Sequence, residues 1–246
     1  RHRNLHPAPG LAPAPPVKPK LTLFDLDHTL LSGDSDVLWC DFLMDKGLLA
    51  RAEFAPRNAD MEARYQAGTV GAQEFADFYV GTLAGKGPAQ WEPARQEFLA
   101  TRIVPRIPPA AIDLVQKHLD AGDLVAMTTA TNRFITELTA LYLGVEHLLA
   151  TEAELVNGLF TGRVRGTLNM RAGKVARLHE WLAARGHSLA AFRSKAYSDS
   201  INDLPLLEAV DKPVAVDPDP RLAAIARERG WRVLNLHAGR RPMQPP

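Results

Sequence analysis

The sequence lacks several features that mark secreted, membrane or nucleic-acid-binding proteins. Cys40 is its only cysteine among 246 residues, so no disulfide can form within the chain, which suits a reducing cytosol. No apolar run reaches the length of a membrane span. The formal net charge of +1 gives no reason to expect a nucleic-acid partner. We therefore expect a cytoplasmic protein with neither a nucleic acid nor a membrane as partner.

The composition is that of an ordinary globular protein, with 46% hydrophobic and 23% charged residues. The length fits one α/β domain with a sizeable insert, or two small domains. Residues 1–20 alternate proline with alanine and basic residues, which predicts a flexible leader outside the fold. Residues 237–246 are predicted to be a tail.

Strand-like and helix-like segments alternate after the leader, a pattern typical of a parallel sheet covered by helices. The predicted strands are 21–26, 124–129, 148–150, 195–198, 213–216 and 232–236. Asn157 and Gly158 separate two further strand-like arms and indicate a β-hairpin. The sequence therefore predicts a Rossmann-like, doubly wound α/β core formed by residues 21–34 and 105–236.

Residues 35–104 interrupt this alternation with a pattern that is helical throughout. The segment is too long for an ordinary connection between a strand and a helix. We expect an inserted all-helical cap with a core of its own. The aromatic residues predicted to form that core are Trp39, Phe42, Phe54, Phe75, Phe78, Trp91 and Phe98.

Polar side chains follow the predicted strands where the carboxyl edge of a parallel sheet would gather them. These residues are Asp25, Asp27, Thr128, Thr129, Thr131, Asp199 and Asp203, with Lys174 on a nearby helix. Each alone is readily explained as a cap, a turn residue or a surface lysine. Their joint placement on one sheet edge indicates a common site.

This set of groups matches the needs of phosphoryl transfer. A phosphate monoester dianion repels a carboxylate nucleophile unless cations and hydrogen-bond donors neutralise its oxygens. Mg²⁺ bound by Asp25, Asp199 and a main-chain oxygen would supply one cation, and Lys174 a second. Thr129 would add a neutral donor, and Asp25 would attack phosphorus to form an aspartyl phosphate.

Asp27 supplies the remaining requirement, a group that protonates the leaving alkoxide and later deprotonates water. Because side chains two residues apart lie on the same side of an extended strand, Asp27 is expected to face the substrate together with Asp25.

The sequence resembles the haloacid dehalogenase superfamily, in its phosphoserine phosphatase-like branch. "FDLDHTL" is similar to the first motif of that family, "VAMTTAT" to the second, "RAGKVARL" to the third and "YSDSINDLPLL" to the fourth. The resemblance implies that Asp25 is nucleophile and metal ligand and that Asp27 is general acid/base, with its backbone carbonyl on Mg²⁺. It further implies that Thr129, or else Thr128, and Lys174 bind phosphate, and that Asp199 binds the metal, with Asp203 in or just behind that shell.

The cap suggests the kind of substrate. In the family the cap closes over the substrate, and Asp34 matches an acidic position nine residues after the nucleophile. An arginine that would pair with a substrate carboxylate is missing from "EFADFYVGTLAGKGP", although Arg57, Arg64 or Arg133 could reach in from elsewhere. Asp34 or Asp36 could receive an ammonium group. We therefore expect a small amino-alcohol phosphate such as histidinol phosphate.

Three other functions remain open from the sequence. The protein could be a phosphoserine phosphatase, a lipid-phosphate phosphatase, or a phosphoacceptor switch without turnover. A switch has no use for a general base at Asp27, and only the short "RHR" and "GRR" segments resemble membrane-docking sequences. The sequence leaves the oligomeric state open.

Overall fold

A seven-stranded sheet forms the centre of the computed structural model, which describes residues 10–237. In chain order the strands are β1 (Lys20–Phe24), β2 (Leu124–Asn132), β3 (His147–Val156), β4 (Leu159–Arg165), β5 (Arg193–Ser198), β6 (Lys212–Val216) and β7 (Arg232–Leu234). Their spatial order is β4-β3-β2-β1-β5-β6-β7, and every neighbouring pair is parallel except β3 with β4. The predicted Rossmann-like fold is confirmed.

Nine α-helices accompany the sheet in the described part of the chain. They are α1 (Ser35–Asp45), α2 (Arg51–Gln66), α3 (Ala72–Val80), α4 (Pro88–Phe98), α5 (Pro109–Asp120), α6 (Arg133–Tyr142), α7 (Ala172–Ala184), α8 (Leu204–Ala209) and α9 (Pro220–Arg229). Helices α1 to α4 lie between β1 and β2, where the sequence predicts the cap. Within residues 10–237, no helix combines the length and the apolar character that crossing a bilayer requires.

Helices cover both faces of the sheet. On one face, Val115 of α5 and Ile135 of α6 are buried in the same apolar cluster as Phe24 of β1. On the other face, Leu178 of α7 and Leu222 of α9 belong to a second buried cluster. Because both faces of the sheet are covered, every residue of β1 and β2 except Lys20 and Leu124 is buried.

The predicted separate core of the cap is wrong in part. Trp39, Phe42, Trp91 and Phe98 are buried in the cluster that also contains Phe24 of the sheet. A second group packs within α1 to α3, together with Ala130 and Met170 from the other part of the chain. Because α1 and α4 lie directly on the sheet's own helical layer, their aromatic side chains extend the main core. The predicted division of the chain remains a proposal: a leader of residues 1–20, a core of 21–34 with 105–236, a cap of 35–104 and a tail of 237–246. Residues 1–9 of the leader and 238–246 of the tail lie outside the described residues.

Strand β1 is shorter than predicted. It ends at Phe24 rather than Leu26, because the Leu26 carbonyl accepts the amides of Thr29, Leu30 and Leu31 in a tight turn. His28 within this turn has a φ of 58°. Asp27 therefore lies on a turn, and the alternation of an extended strand does not determine where its side chain points.

The predicted hairpin at Asn157 and Gly158 is present, and it also supports the cap. Both residues have positive φ, 52° and 78°, as a tight two-residue hairpin turn requires. On β4, the Phe160 carbonyl accepts the Gly85 amide at 3.0 Å and the Phe160 amide donates to the Lys86 carbonyl at 2.9 Å. The hairpin thus holds one side of the helical segment over the sheet.

Candidate active site

Asp25 lies at the carboxyl edge of the sheet, directly after β1. Its amide donates to the Tyr197 carbonyl of the neighbouring strand at 3.0 Å, which extends the strand pairing by one residue. Its side chain is only 5% exposed. Lys174 Nζ donates to Oδ1 at 3.0 Å, and the Thr29 hydroxyl lies 2.9 Å from Oδ2. Both carboxylate oxygens are therefore held in defined positions.

Asp199 and Asp203 come from the turn after β5 and complete this first group of acids. Lys174 Nζ donates to Asp203 Oδ2 at 2.9 Å, and the Ser198 hydroxyl donates to the same oxygen at 2.7 Å. The other Asp203 oxygen is buried without a hydrogen-bond partner. The Thr29 hydroxyl lies 2.9 Å from Asp199 Oδ1 as well as from Asp25, and its single proton can serve only one of them at a time.

This first group carries more negative charge than it can neutralise. Two buried carboxyl groups, those of Asp25 and Asp203, share the ammonium of Lys174. The half-buried carboxyl of Asp199 lies beside Asp25, and the Thr29 hydroxyl is 2.9 Å from both. Burial, and then repulsion from Asp25, raises the pKa of Asp199 well above its ordinary value. Burial by itself would lower the pKa of Lys174, but attraction from Asp203 and Asp25 outweighs it and raises that pKa.

The excess charge fits a divalent cation. Within residues 10–237, no three Asp, Glu, His or Cys side chains are arranged to hold a metal ion by themselves. Mg²⁺ does not need three, because it takes one or two carboxylates and completes its shell with carbonyl, water and phosphate oxygens. Asp25 and Asp199 are the carboxylates that would hold it. Asp203, already bonded to Lys174 and Ser198, fits better behind them.

Asp27 belongs to a second group of acids on the cap side. Its Oδ1 accepts the Ser35 amide at 2.7 Å. Its Oδ2 accepts the hydroxyls of Thr129 at 3.2 Å and Thr131 at 3.0 Å. The Thr131 hydroxyl also lies 3.1 Å from Asp36 Oδ2, so one threonine links the predicted acid/base residue to the cap.

Asp34 and Asp36 are buried next to Asp27. Asp34 caps α1 by accepting the Val37 amide at 3.1 Å, whereas Oδ1 of Asp36 has no hydrogen-bond partner. Burial raises the pKa of both groups well above the usual range, and repulsion from neighbouring aspartates raises it further. Among the described residues, no lysine, arginine or histidine forms an ion pair with either carboxyl. This second group is a cluster of buried acids without a counter-ion among the described residues.

The geometry distinguishes the two threonines that the sequence left open. Thr129 faces Asp27, whereas Thr128 accepts a hydrogen bond from Asn169 Nδ2 at 2.9 Å. Asn169 also donates to the Thr129 carbonyl at 2.9 Å. The arrangement favours Thr129 as the phosphate-binding hydroxyl, and it gives Thr128 a role in holding the loop before Lys174.

Three side chains of the sheet domain hold the cap closed over these acids. Arg171 Nη2 donates to the Val70 carbonyl at 2.6 Å and to Gly68 at 3.2 Å. Asn202 Nδ2 donates to the Tyr65 carbonyl at 2.7 Å, and Arg221 Nη1 donates to Ala67 at 3.1 Å. We call these contacts the cap latch. They satisfy carbonyls at and beyond the C-terminal end of α2, where a helix leaves such groups without partners.

Tyr65 of the cap lies near the first group of acids. Its ring stacks on Phe75 with centroids 4.9 Å apart. Burial raises the pKa of the Tyr65 hydroxyl, and so do the negative charges of Asp203, Asp25 and Asp199, in that order. The Tyr65 hydroxyl therefore lies within electrostatic reach of these acids.

The three arginines that could have supplied a carboxylate-binding group are engaged elsewhere. Arg64 pairs with Asp60 and Glu74 on the surface of the cap. Arg57 lies over the rings of Phe54 and Phe78. Arg133 donates to Glu152 and to the Leu148 carbonyl. None of the three contacts the acids at the carboxyl edge.

Comparison with known proteins identifies the family. The model of the haloacid dehalogenase-like hydrolases matches residues 22–208, more than half of the chain. The chain belongs to this family. A histidinol-phosphatase of Neisseria meningitidis serogroup C is 40% identical over 88% of this chain and 98% of the relative. The phosphoserine phosphatase SerB1 of Mycobacterium tuberculosis is 33% identical over 96% of this chain and 78% of its own length. Family and relatives together assign this hydrolase to the phosphoric monoester hydrolases.

Solved structures show the same fold. A protein of unknown function from Bordetella pertussis Tohama I is 46% identical and covers 89% of this chain and 100% of its own, with a TM-score of 0.85. A phospho-aspartyl intermediate analogue of phosphoserine phosphatase has a TM-score of 0.65 at 17% identity, over 89% of this hydrolase and 94% of that chain. At that identity the likeness concerns the fold alone.

Several residues of the site carried no clear signal in the sequence. Thr29 could have been noticed, since it follows Asp25 by four residues within the first motif. Thr131 is among the strand-end residues that the sequence indicates, whereas the position of Ser198 beside a strand end was a weaker signal. Arg171, Asn202 and Tyr65 meet only because the cap folds back onto the sheet, and no local pattern marks them.

Proposed function

We propose that this protein is a Mg²⁺-dependent phosphomonoesterase that acts through an aspartyl phosphate on Asp25. Asp25 is oriented by Lys174 and Thr29, and its position after β1 faces the open end of the sheet. Lys174 also supplies positive charge for the phosphoryl oxygens, and Thr129 supplies a hydroxyl. Bound Mg²⁺ would neutralise further charge on the phosphate.

Asp27 serves as acid and base in this proposal. The Ser35 amide and the Thr129 and Thr131 hydroxyls hold its carboxyl next to the cap. From there it would protonate the leaving alkoxide and then take a proton from the water that hydrolyses the aspartyl phosphate. Closure of the cap keeps other water out while the acyl phosphate exists.

The substrate we propose is a small amino-alcohol phosphate, with histidinol phosphate as the leading candidate. One observation carries this choice, namely that Asp34 and Asp36 are buried beside Asp27 without a cationic partner. A buried carboxylate gains most from a charged donor brought by the ligand. The name of the Neisseria meningitidis relative supports the same substrate.

Phosphoserine is the second candidate, because the Mycobacterium tuberculosis relative bears that activity in its name. Its ammonium group would fit the same acids. Its carboxylate would need a cationic partner, and Arg57, Arg64 and Arg133 are engaged away from the site. Histidinol phosphate carries no carboxylate, and we therefore place it first.

Release of inorganic phosphate from histidinol phosphate, O-phosphoserine and p-nitrophenyl phosphate, each with Mg²⁺, tests the proposal. We expect the highest kcat/KM for histidinol phosphate. Asp36→Asn keeps an oxygen for the Thr131 hydroxyl but removes the charge, and it should raise KM for histidinol phosphate more than for p-nitrophenyl phosphate. Asp60→Asn, on the surface of the cap, is the matched control. An equal effect of Asp36→Asn on both substrates would refute ammonium recognition by this residue.

A further inference from the structure

A cavity of about 360 Å³ lies at the end of the sheet opposite the proposed catalytic acids. Asp25 and Asp199 follow the last residues of their strands, whereas the cavity is lined from the first residues of β1, β5, β6 and β7 and from α5. Its volume is within the range of small-molecule sites. The catalytic site contributes no residue to its lining.

Six cationic side chains line this cavity, which we call the basic cavity. They are Lys20, Lys117, Arg193, Lys195, Lys212 and Arg232. None of the six forms an ion pair with any residue in the 10–237 range. These residues come from five separate elements, yet their charges converge in a chain whose formal net charge is only +1. Such a concentration of one sign in a recess focuses the field on an anion.

The two acidic residues in the lining do not neutralise this charge. Asp123 Oδ2 accepts the Thr22 hydroxyl at 2.9 Å and lies 2.7 Å from His118 Nδ1. Asp211 Oδ2 accepts the amide of Ser194 at 2.9 Å and its hydroxyl at 3.2 Å. Both carboxylates are committed to the strand ends, which leaves an excess of four positive charges around the cavity.

The positive charges of the basic cavity repel one another at Lys195. Burial lowers the pKa of Lys195, and the charges of Lys212, Arg232 and Lys117 lower it further. The Lys195 ammonium is 6.0 Å from the centroid of the Tyr197 ring. Tyr197, whose hydroxyl lies 2.8 Å from His118 Nε2, provides a rigid aromatic wall. A multiply charged anion in the cavity would relieve this repulsion.

We propose that the basic cavity binds a small soluble polyanion, a molecule carrying several phosphate groups. One phosphate would meet only part of the lining, whereas a chain or ring with two or three phosphates can contact cations from β5, β6, β7 and α5 at once. The recess between strand ends favours a small ligand over an extended polymer or a membrane surface. The proposal does not depend on the activity proposed for the other end of the sheet.

Isothermal titration calorimetry with inorganic tripolyphosphate, in buffer without Mg²⁺, tests this site. We expect one molecule to bind per chain, with an affinity that falls as salt is added. Lys195→Gln/Lys212→Gln should weaken binding at least tenfold. The control Lys46→Gln/Lys86→Gln removes the same charge from the cap and should change affinity less than twofold. Lys20→Gln/Lys117→Gln, on two other elements, provides a second test should the first variant fold poorly.

Three results would overturn the proposal. The first is an absence of binding by the wild-type protein. The second is equal weakening by the basic-cavity variants and the control, which would place tripolyphosphate elsewhere or make its attraction nonspecific. The third is tighter binding of a single-stranded oligonucleotide, or of vesicles containing phosphatidylinositol bisphosphate, lost in the same variants. That result would assign the surface to a macromolecular or membrane partner.

Discussion

Lys174 Nζ lies 3.0 Å from Asp25 Oδ1, joining two buried residues that are 149 positions apart in sequence. The same ammonium donates to Asp203 at 2.9 Å. One lysine thus orients the proposed nucleophile and offsets the charge of the acids around it. Its removal should affect both catalysis and stability.

Lys174→Gln should abolish measurable turnover and lower the free energy of unfolding by about 3 kcal/mol, since it leaves buried carboxylates without their cation. The loss should be larger at pH 8 than at pH 6. Burial already raises the pKa of Asp203, and without Lys174 that pKa rises further. A folded state that holds an extra proton loses stability as the pH rises, because unfolding releases that proton.

Urea unfolding at the two pH values measures this effect. Lys46→Gln is the control, because Lys46 forms an exposed pair with Glu97, and such pairs contribute about 0–1 kcal/mol. A Lys174→Gln protein as stable as this control would show that the buried ammonium does not offset the acids.

Asp36→Asn should stabilise the protein at high pH while impairing its function. The raised pKa of Asp36 means that wild-type stability falls as the pH rises through that value, since the buried group must lose its proton. The variant lacks this penalty and should be more stable by about 1 kcal/mol at pH 8, with a smaller gain at pH 5. Thermal unfolding across pH gives the comparison, and a variant less stable than wild type at pH 8 would contradict the account of this acid.

Thr131→Val should slow turnover on the order of tenfold, because Asp27 loses one of the two hydroxyls that hold its Oδ2. Valine keeps the shape of the side chain, and Thr131→Ser restores the hydroxyl. We expect kcat to fall in the valine variant and to recover in the serine variant, with little change in KM for p-nitrophenyl phosphate. Equal rates in both variants would exclude a positioning role for the hydroxyl.

Arg171→Asn should loosen the cap latch. Arg171 has a φ of 53° and a ψ of −126°, a tight-turn conformation in which asparagine is common, so the change removes the long side chain with little new backbone strain. Hydrogen exchange of the amides at 65–70 should accelerate, and kcat/KM should fall. Arg177→Asn is the control, because Arg177 lies nearby on α7 but contacts the Thr167 carbonyl and Glu152. Unchanged exchange at 65–70 would mean that Arg171 does not hold the cap.

Much of the site could be predicted because strand ends in a parallel sheet gather at one edge. Asp25, Asp199 and Lys174 meet as the alternation of strands and helices indicates. The turn after Phe24 was not predicted. It depends on the Leu26 carbonyl accepting three backbone amides, which the apolar pattern of the sequence does not show. The cap latch and the basic cavity were not predicted either, because they join residues from distant elements whose contacts are set by tertiary packing alone.

The core of the cap illustrates the same limit. The aromatic residues of 35–104 were expected to pack among themselves, and Phe75 and Phe78 do so. Trp39 and Trp91 also pack against each other, with ring centroids 5.5 Å apart, but they belong to the cluster that contains Phe24 of the sheet. Sequence periodicity identifies the buried face of a helix but not the partner that covers it.

Rapid acid quenching after mixing with ³²P-labelled p-nitrophenyl phosphate and Mg²⁺ shows whether Asp25 accepts the phosphoryl group. We expect label bound to the protein within one turnover, located by peptide mapping at Asp25 and absent from Asp25→Asn. Label on a different residue, or turnover by the wild-type protein with no protein-bound label even when Asp27→Asn slows the second step, would contradict this role of Asp25.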